Sequence, residues 1–140
     1  MGKILVSACL LGENCKYNGK NNYSEAVCEY AKGREILAVC PEMMAGMGCP
    51  RTPIEIVCGR LCDRDGNDVD DVMRAAVDAA MELVRSEGVE MAILQSRSPT
   101  CGVNQIYDGS FSGRLINGSG IFAQALKDFG CPVTDAEDLV

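Results

Sequence analysis

A single α/β domain of three layers, α/β/α, with a small and mostly parallel sheet, is predicted by three observations. Short apolar runs at residues 4–8, 36–39 and 91–95 each end in turn-forming residues, the pattern of buried parallel strands. Stretches with helical periodicity separate these runs, as a β-α-β chain requires. The 140 residues suffice for one hydrophobic core and are few for two.

Residues 3–8 read as the first strand. Residues 12–20 are turn-rich, with Asn18-Gly19 as the strongest turn signal. A helix is expected over residues 23–32, capped by Ser24 and stopped by Gly33. Residues 35–40 form the second strand, and Pro41 opens a loop reaching about residue 53, punctuated by Gly46, Gly48 and Pro50. Residues 54–57 and the segment through Leu61 predict short strands before the Asp65-Gly66 turn. The clearest helix spans residues 69–86, where Val69, Val72, Met73, Ala76, Val77 and Ala80 follow an i, i+3, i+4 rhythm. Asp68 is its expected cap, with Asp71 imitating part of a capping box, and Gly88 its stop. Residues 91–95 are the third strand. Two glycine turns within 104–117 predict a hairpin or an excursion over the site. A last helix at 119–129 ends at Gly130, and Pro132-Val133 begins a short final strand. The alternation predicts a Rossmann-like sheet.

Composition removes several function classes. A net charge of −7 argues against a nonspecific nucleic-acid binder, which needs basic surface to displace counterions. No apolar run is long enough to span a membrane and no signal-like segment opens the sequence, so a cytoplasmic protein without a membrane partner is expected. Val6 replaces the Ser or Thr of a myristoylation signal. The absence of histidine rules out Ser-His-Asp and Cys-His relays. It leaves carboxylate, Ser, Tyr, Lys or water to move protons.

Nine cysteines are then the dominant chemical feature. The odd count and the strong helix and strand patterns disfavour a secreted disulfide scaffold. Cys9, Cys40 and Cys101 each follow an apolar run. In an open α/β sheet, ligands bind beyond the carboxyl ends of the strands, so these thiols are expected to converge on one rim. Helix N-termini nearby would lower their pKa and favour the thiolate that binds metal. Pro41 should hold Cys40 extended. Three soft thiolates leave one position open on zinc, copper(I) or an iron–sulfur cluster, and an open position suits catalysis. Cys15 and Cys49 lie in loops near the expected rim, and Cys49, in the loop after the second strand, is the main rival third ligand. Cys28 and Cys131 read as packing residues. Cys58 and Cys62 approach metal-finger spacing without a second knuckle, and a hairpin explains them. Glu42, directly after Cys40-Pro41, is the candidate proton carrier, with Ser96 and Ser98 at the end of the third strand. Lys16, Tyr17 and Asn18 are placed to orient a polar substrate or to build their turn. Arg51 and Arg97 would neutralise an anionic group or stand as surface charges.

The segments Val6-Ser7-Ala8-Cys9-Leu10-Leu11-Gly12, Val39-Cys40-Pro41-Glu42, Gly48-Cys49-Pro50-Arg51 and Ser96-Arg97-Ser98-Pro99-Thr100-Cys101-Gly102 together resemble the family once called domain of unknown function 523. Gly118-Ser119-Gly120-Ile121-Phe122-Ala123 fits it too. That family includes thiouracil desulfurases that use a [4Fe–4S] cluster held by three cysteines. The resemblance implies cluster ligation by Cys9, Cys40 and Cys101. It also implies proton transfer and substrate handling by Glu42 and Ser96, with Ser98 as the alternative serine. A small thiolated substrate such as 2-thiouracil would bind the open iron through sulfur, water would attack the ring carbon, and sulfide would leave. The chain departs from the family pattern at Cys49, which would replace a ligand, add a fourth or stand aside, and at Lys16, where arginine is common. Two rival readings are a noncatalytic metal or cluster sensor or store, and a sulfur transferase carrying persulfide on Cys49.

Overall fold

The computed structural model describes residues 3–139. Four parallel strands form the central sheet: β1 (Lys3–Ser7), β2 (Ile36–Val39), β5 (Val89–Leu94) and β8 (Val133–Asp135), in the order β2-β1-β5-β8. Between them come α1 (Glu25–Ala31), α2 (Pro41–Met44), the antiparallel hairpin β3 (Ile54–Val57) and β4 (Arg60–Asp63), and α3 (Asp70–Glu87). A second antiparallel hairpin, β6 (Gln105–Tyr107) and β7 (Leu115–Asn117), precedes α4 (Ile121–Phe129).

Successive side chains on a strand point to opposite faces, and the two faces carry separate cores. Leu5, Ala92 and Leu94 pack with Val77, Ala80 and Val84 of α3 and with Phe122 and Leu126 of α4. Ile4, Val6 and Ile93 pack on the other side with Val27 and Ala31 of α1 and with Ala136. The three-layer α/β/α architecture and the parallel sheet are therefore as the sequence predicts. The hairpin option for 104–117 is also borne out.

Strand order creates the site. From β1 the chain crosses to β2 on one side, then returns through α3 to β5 on the other. The connections thus diverge at the carboxyl ends of β1 and β5, the topological switch point at which open α/β sheets bind ligands. Ser7 marks this point, its hydroxyl accepting a hydrogen bond from the Gln95 amide at 3.0 Å.

Several local expectations hold and others shift. Ser24 caps α1 by accepting from the Val27 amide at 3.2 Å. Cys40 is extended (φ −138°, ψ 99°), as its proline neighbour demands. Ala8, expected to end the first strand, instead starts a 3-10 turn over Ala8–Leu11. The loop after β2 opens with a short helix, α2. Asp68 stands one position before the N-cap residue Val69 and still serves the helix start, its Oδ1 accepting the Asp70 amide at 2.9 Å. Arg60 Nε holds its other oxygen at 2.6 Å. Buried Asp70 fastens that helix start to β4 as well, accepting from the Leu61 amide at 3.0 Å and from Arg74 Nε at 2.8 Å.

The start of α4 locks the loop that carries Cys101. The amides of Ile121 and Phe122 donate to the carbonyls of Pro99 and Thr100, both at 2.9 Å, and the Gly120 amide donates to Gly102 at 2.8 Å. A Cβ at Gly120 would collide with the Thr100 carbonyl and the Cys101 amide. Gly120→Ala is therefore expected to destabilise the protein by about 1–3 kcal/mol, as overpacking does. The measurement is a lowered urea midpoint at unchanged slope.

Candidate active site

Beyond the ends of β1, β2 and β5 lies a cavity of about 530 Å³. Its wall includes Cys9, Cys40, Cys101, Glu42, Ser96 and Ser98. Cys9 enters from the 3-10 turn after β1, and Cys40 from the residue between β2 and α2. Cys101 enters from the turn after β5, where Ser98 Oγ accepts the amides of Thr100 and Cys101 at 3.0 Å each. Ser98 thus folds the turn that presents a thiol. Asn22 Nδ2 donates to Cys9 Sγ at 3.5 Å. Cys49 is absent from the wall and its thiol donates to the Asn14 carbonyl at 2.9 Å.

A fourth thiol joins the three: Cys15, which the sequence puts in a loop near the rim but not among the candidate ligands. Cys15 is 6% exposed and lines the same cavity. Position alone concealed it, because it follows no strand. A thiol in a turn-rich loop reaches the rim only once that loop folds back.

Cys9, Cys15 and Cys101 do not show the expected fall in pKa. Burial pushes the Cys15 thiol up to about 12, with Cys40 and Cys9 adding repulsion. Burial also raises Cys9 and Cys101, against hydrogen bonds from Asn22 and Ser7 respectively. Desolvation and crowding by like groups outweigh nearby backbone dipoles. These thiols are protonated at neutral pH unless a cation replaces their protons.

Glu42 is held on both oxygens. Arg51 Nε donates to Oε1 at 2.9 Å and Thr100 Oγ1 donates to Oε2 at 3.3 Å. The Arg51 side chain is only 6% exposed, so the surface-charge reading of this residue does not hold. It also donates to the carbonyls of Cys15 and Gly48, each at 2.8 Å. Arg97 pairs with Glu137 through both guanidinium Nη atoms.

Ser96, 6% exposed, donates its hydroxyl hydrogen to Asp135 Oδ1 at 2.6 Å. Asp135 ends β8 and carried no signal in the sequence, since an aspartate before a short turn is an ordinary cap. Glu55, within β3, is a second carboxylate without a signal, since its partners lie in a loop far along the chain. It is buried, and its Oε1 accepts the amides of Gly109 at 2.9 Å and Phe111 at 3.1 Å. It thereby ties the β6–β7 loop over the cavity, where Tyr107 and Phe111 join the wall. Lys16 and Tyr17 also line the cavity, whereas Asn18 builds its turn by accepting the Lys20 amide at 3.0 Å.

The donor set on the cavity wall is soft, since the thiols of Cys9, Cys40 and Cys101 are of the kind that zinc, copper(I) and iron–sulfur groups take. Among the described residues, no three Cys, Asp or Glu side chains form a ready-made cluster around a single ion.

Comparison with known proteins gives the chain a family. A family model described as 2-thiouracil desulfurase matches residues 4–138. The uncharacterized protein YbbK of Bacillus subtilis (strain 168) is 33% identical over 146 residues, covering 97% of each chain. A solved structure of TudS, described as a [4Fe-4S]-dependent thiouracil desulfidase, superposes with a TM-score of 0.91. It is 34% identical and covers 99% of this chain and 93% of its own. With the family model spanning nearly every residue and both likenesses running the full length, this chain belongs to the 2-thiouracil desulfurase family.

Proposed function

We propose that the protein is a [4Fe–4S]-dependent desulfurase. It converts the thiocarbonyl of a thiolated nucleobase such as 2-thiouracil, or of a related small thioamide, to a carbonyl and releases sulfide. The observation that carries this reading is the meeting of Cys9, Cys40 and Cys101 with Glu42 and Ser96 on one cavity. Cys9, Cys40 and Cys101 would hold the cluster. A cluster so held supplies one iron without a protein ligand, a Lewis acid for a soft thiocarbonyl sulfur.

The chain's own residues supply the rest. Glu42 keeps its carboxylate facing the cavity because Arg51 and Thr100 fix its two oxygens. Their remaining lone pairs accept a proton from water as it attacks the ring carbon. Ser96 accepts the water's other hydrogen. Tyr17, Tyr107 and Phe111 give the cavity aromatic surface suited to a flat heterocycle. Exchange of C=S for C=O by water is redox-neutral. A persulfide carrier would need a two-electron oxidant, and Cys49 lies off the cavity wall, which favours the hydrolytic reading.

Anaerobic reconstitution with iron and sulfide should give a brown protein with broad visible absorbance. Cys9→Ser, Cys40→Ser and Cys101→Ser should each lose that absorbance, and Cys49→Ser should keep it. The loaded protein should release hydrosulfide from 2-thiouracil, with Glu42→Gln lowering kcat by about 10²–10⁴-fold at equal cluster content. A fully loaded protein that releases none would establish the sensor reading instead.

Metal uptake should follow the thiol protons. Cadmium binding to the metal-free protein should tighten from about pH 6.5 to about pH 8.5 and release protons, read by titration calorimetry in buffers of different ionisation enthalpy. Without metal the sign reverses. A thiol raised on folding stabilises below its free value of 9.0 and loses that contribution as pH climbs toward about 12. Thermal unfolding of the metal-free protein should therefore show a falling Tm above about pH 9.

A further inference from the structure

Ser96 has two possible polarities. If its hydroxyl donates to the attacking water, it occupies a lone pair that the reaction needs. If it accepts from that water, the lone pair stays free and aims at carbon. Asp135 decides between them. The Ser96 hydroxyl hydrogen is already committed to Asp135 Oδ1 at 2.6 Å, and both residues are nearly fully buried. No cation takes Asp135 away from this duty, because Arg97 is engaged by Glu137. The same Oδ1 accepts the Glu137 amide at 2.8 Å, which fixes the carboxylate in place. Charge-assisted hydrogen bonds of this kind are about twice as strong as neutral ones.

We propose that Asp135 is a positioning residue of the desulfuration, one that locks Ser96 as a hydrogen-bond acceptor toward the cavity. Glu42 and Ser96 then accept the two hydrogens of one water, leaving its lone pair for the thiocarbonyl carbon. This inference rests on the hydrolytic reading above and adds to it a residue at the opposite edge of the sheet from Cys40. It separates Asp135 from an ordinary helix cap, since a cap needs only the bond to Glu137.

Serine caps helices about as well as aspartate from a side chain one bond shorter, so Asp135→Ser keeps a cap and withdraws the acceptor from Ser96, whereas Asp135→Asn keeps an Oδ1 for both bonds and is the conservative rescue. Asp135→Ser should lower kcat by about 10- to 100-fold, the scale of a misplaced reacting group, with KM within about twofold, and with Tm and cluster absorbance unchanged. Asp135→Asn, which loses only the charge assistance, should stay within about threefold of wild type. In a double-mutant cycle, Asp135→Ser should cost nothing further in a Ser96→Ala background. Independent of activity, the shielded Ser96 hydroxyl proton should give a slowly exchanging downfield resonance in the metal-free protein, absent from Ser96→Ala and from Asp135→Ser. Wild-type kcat in Asp135→Ser, beside an impaired Ser96→Ala, would reduce Asp135 to a cap. Losses that multiply in the cycle would also overturn the proposal. Wild-type kcat in Ser96→Ala, or no hydrosulfide from the loaded wild type, would sink the hydrolytic reading itself, while the resonance would still report whether the lock exists.

Discussion

The buried guanidinium of Arg51 is the constraint on which the site depends. A charge this sheltered must be fully paired, and removing one of its partners leaves an expensive orphan. Its partners are Glu42 on α2, the Gly48 carbonyl in the following loop and the Cys15 carbonyl in the turn after β1. Its own backbone amide adds a bond to the Tyr17 carbonyl at 2.6 Å. One planar fork thus fixes two irregular segments and a carboxylate at once. The sheet brings the thiols to a common rim, and Arg51 closes the wall around them. Lysine could not replace it, because a single ammonium cannot present that fixed fan of donors.

Much of this architecture was legible in the sequence because it rests on short-range patterns. The strands announce themselves as apolar runs, and α3 by its 3.6-residue rhythm. The strand-end rule then placed Cys9, Cys40 and Cys101 without any knowledge of strand order. Boundaries were less exact at element ends. Asp68 supplies its expected bond to the helix start, yet α3 begins one residue later than its rhythm suggests, and Ala8 opens a 3-10 turn rather than ending β1.

What escaped was set by tertiary contact. Glu55 and Asp135 carry no functional signal in their local sequence, and Cys15 and Arg51 carry only a general one, a loop thiol near the rim and a charge fit for an anion. Each gains its role from a partner between 36 and 56 positions away, such as Arg51 for Cys15 or Phe111 for Glu55, or at shorter range only through a folded loop, as with Arg51 and Glu42. The thiol pKa values escaped for a related reason. Backbone dipoles can be inferred from neighbouring sequence, whereas burial and the crowding of thiols from different strands exist only in the fold. The strand-end rule and the family resemblance point to the same candidates, Cys9, Cys40, Cys101, Glu42 and Ser96, which line one cavity, yet neither reveals the network that holds them.

Strand order has a consequence for the making of the protein. The rim is assembled from both ends of the chain: Cys9 lies near the start, while β5 reaches its place beside β1 and is flanked by β8, the last strand. A ribosome delivers Cys9, Cys15 and Cys40 well before Cys101 and Asp135. The early thiols therefore wait unshielded by the later half, exposed to stray soft metals and oxidants, until β5 docks. Any group that needs all three strand-end thiols at once can therefore be completed only after β5 has docked beside β1.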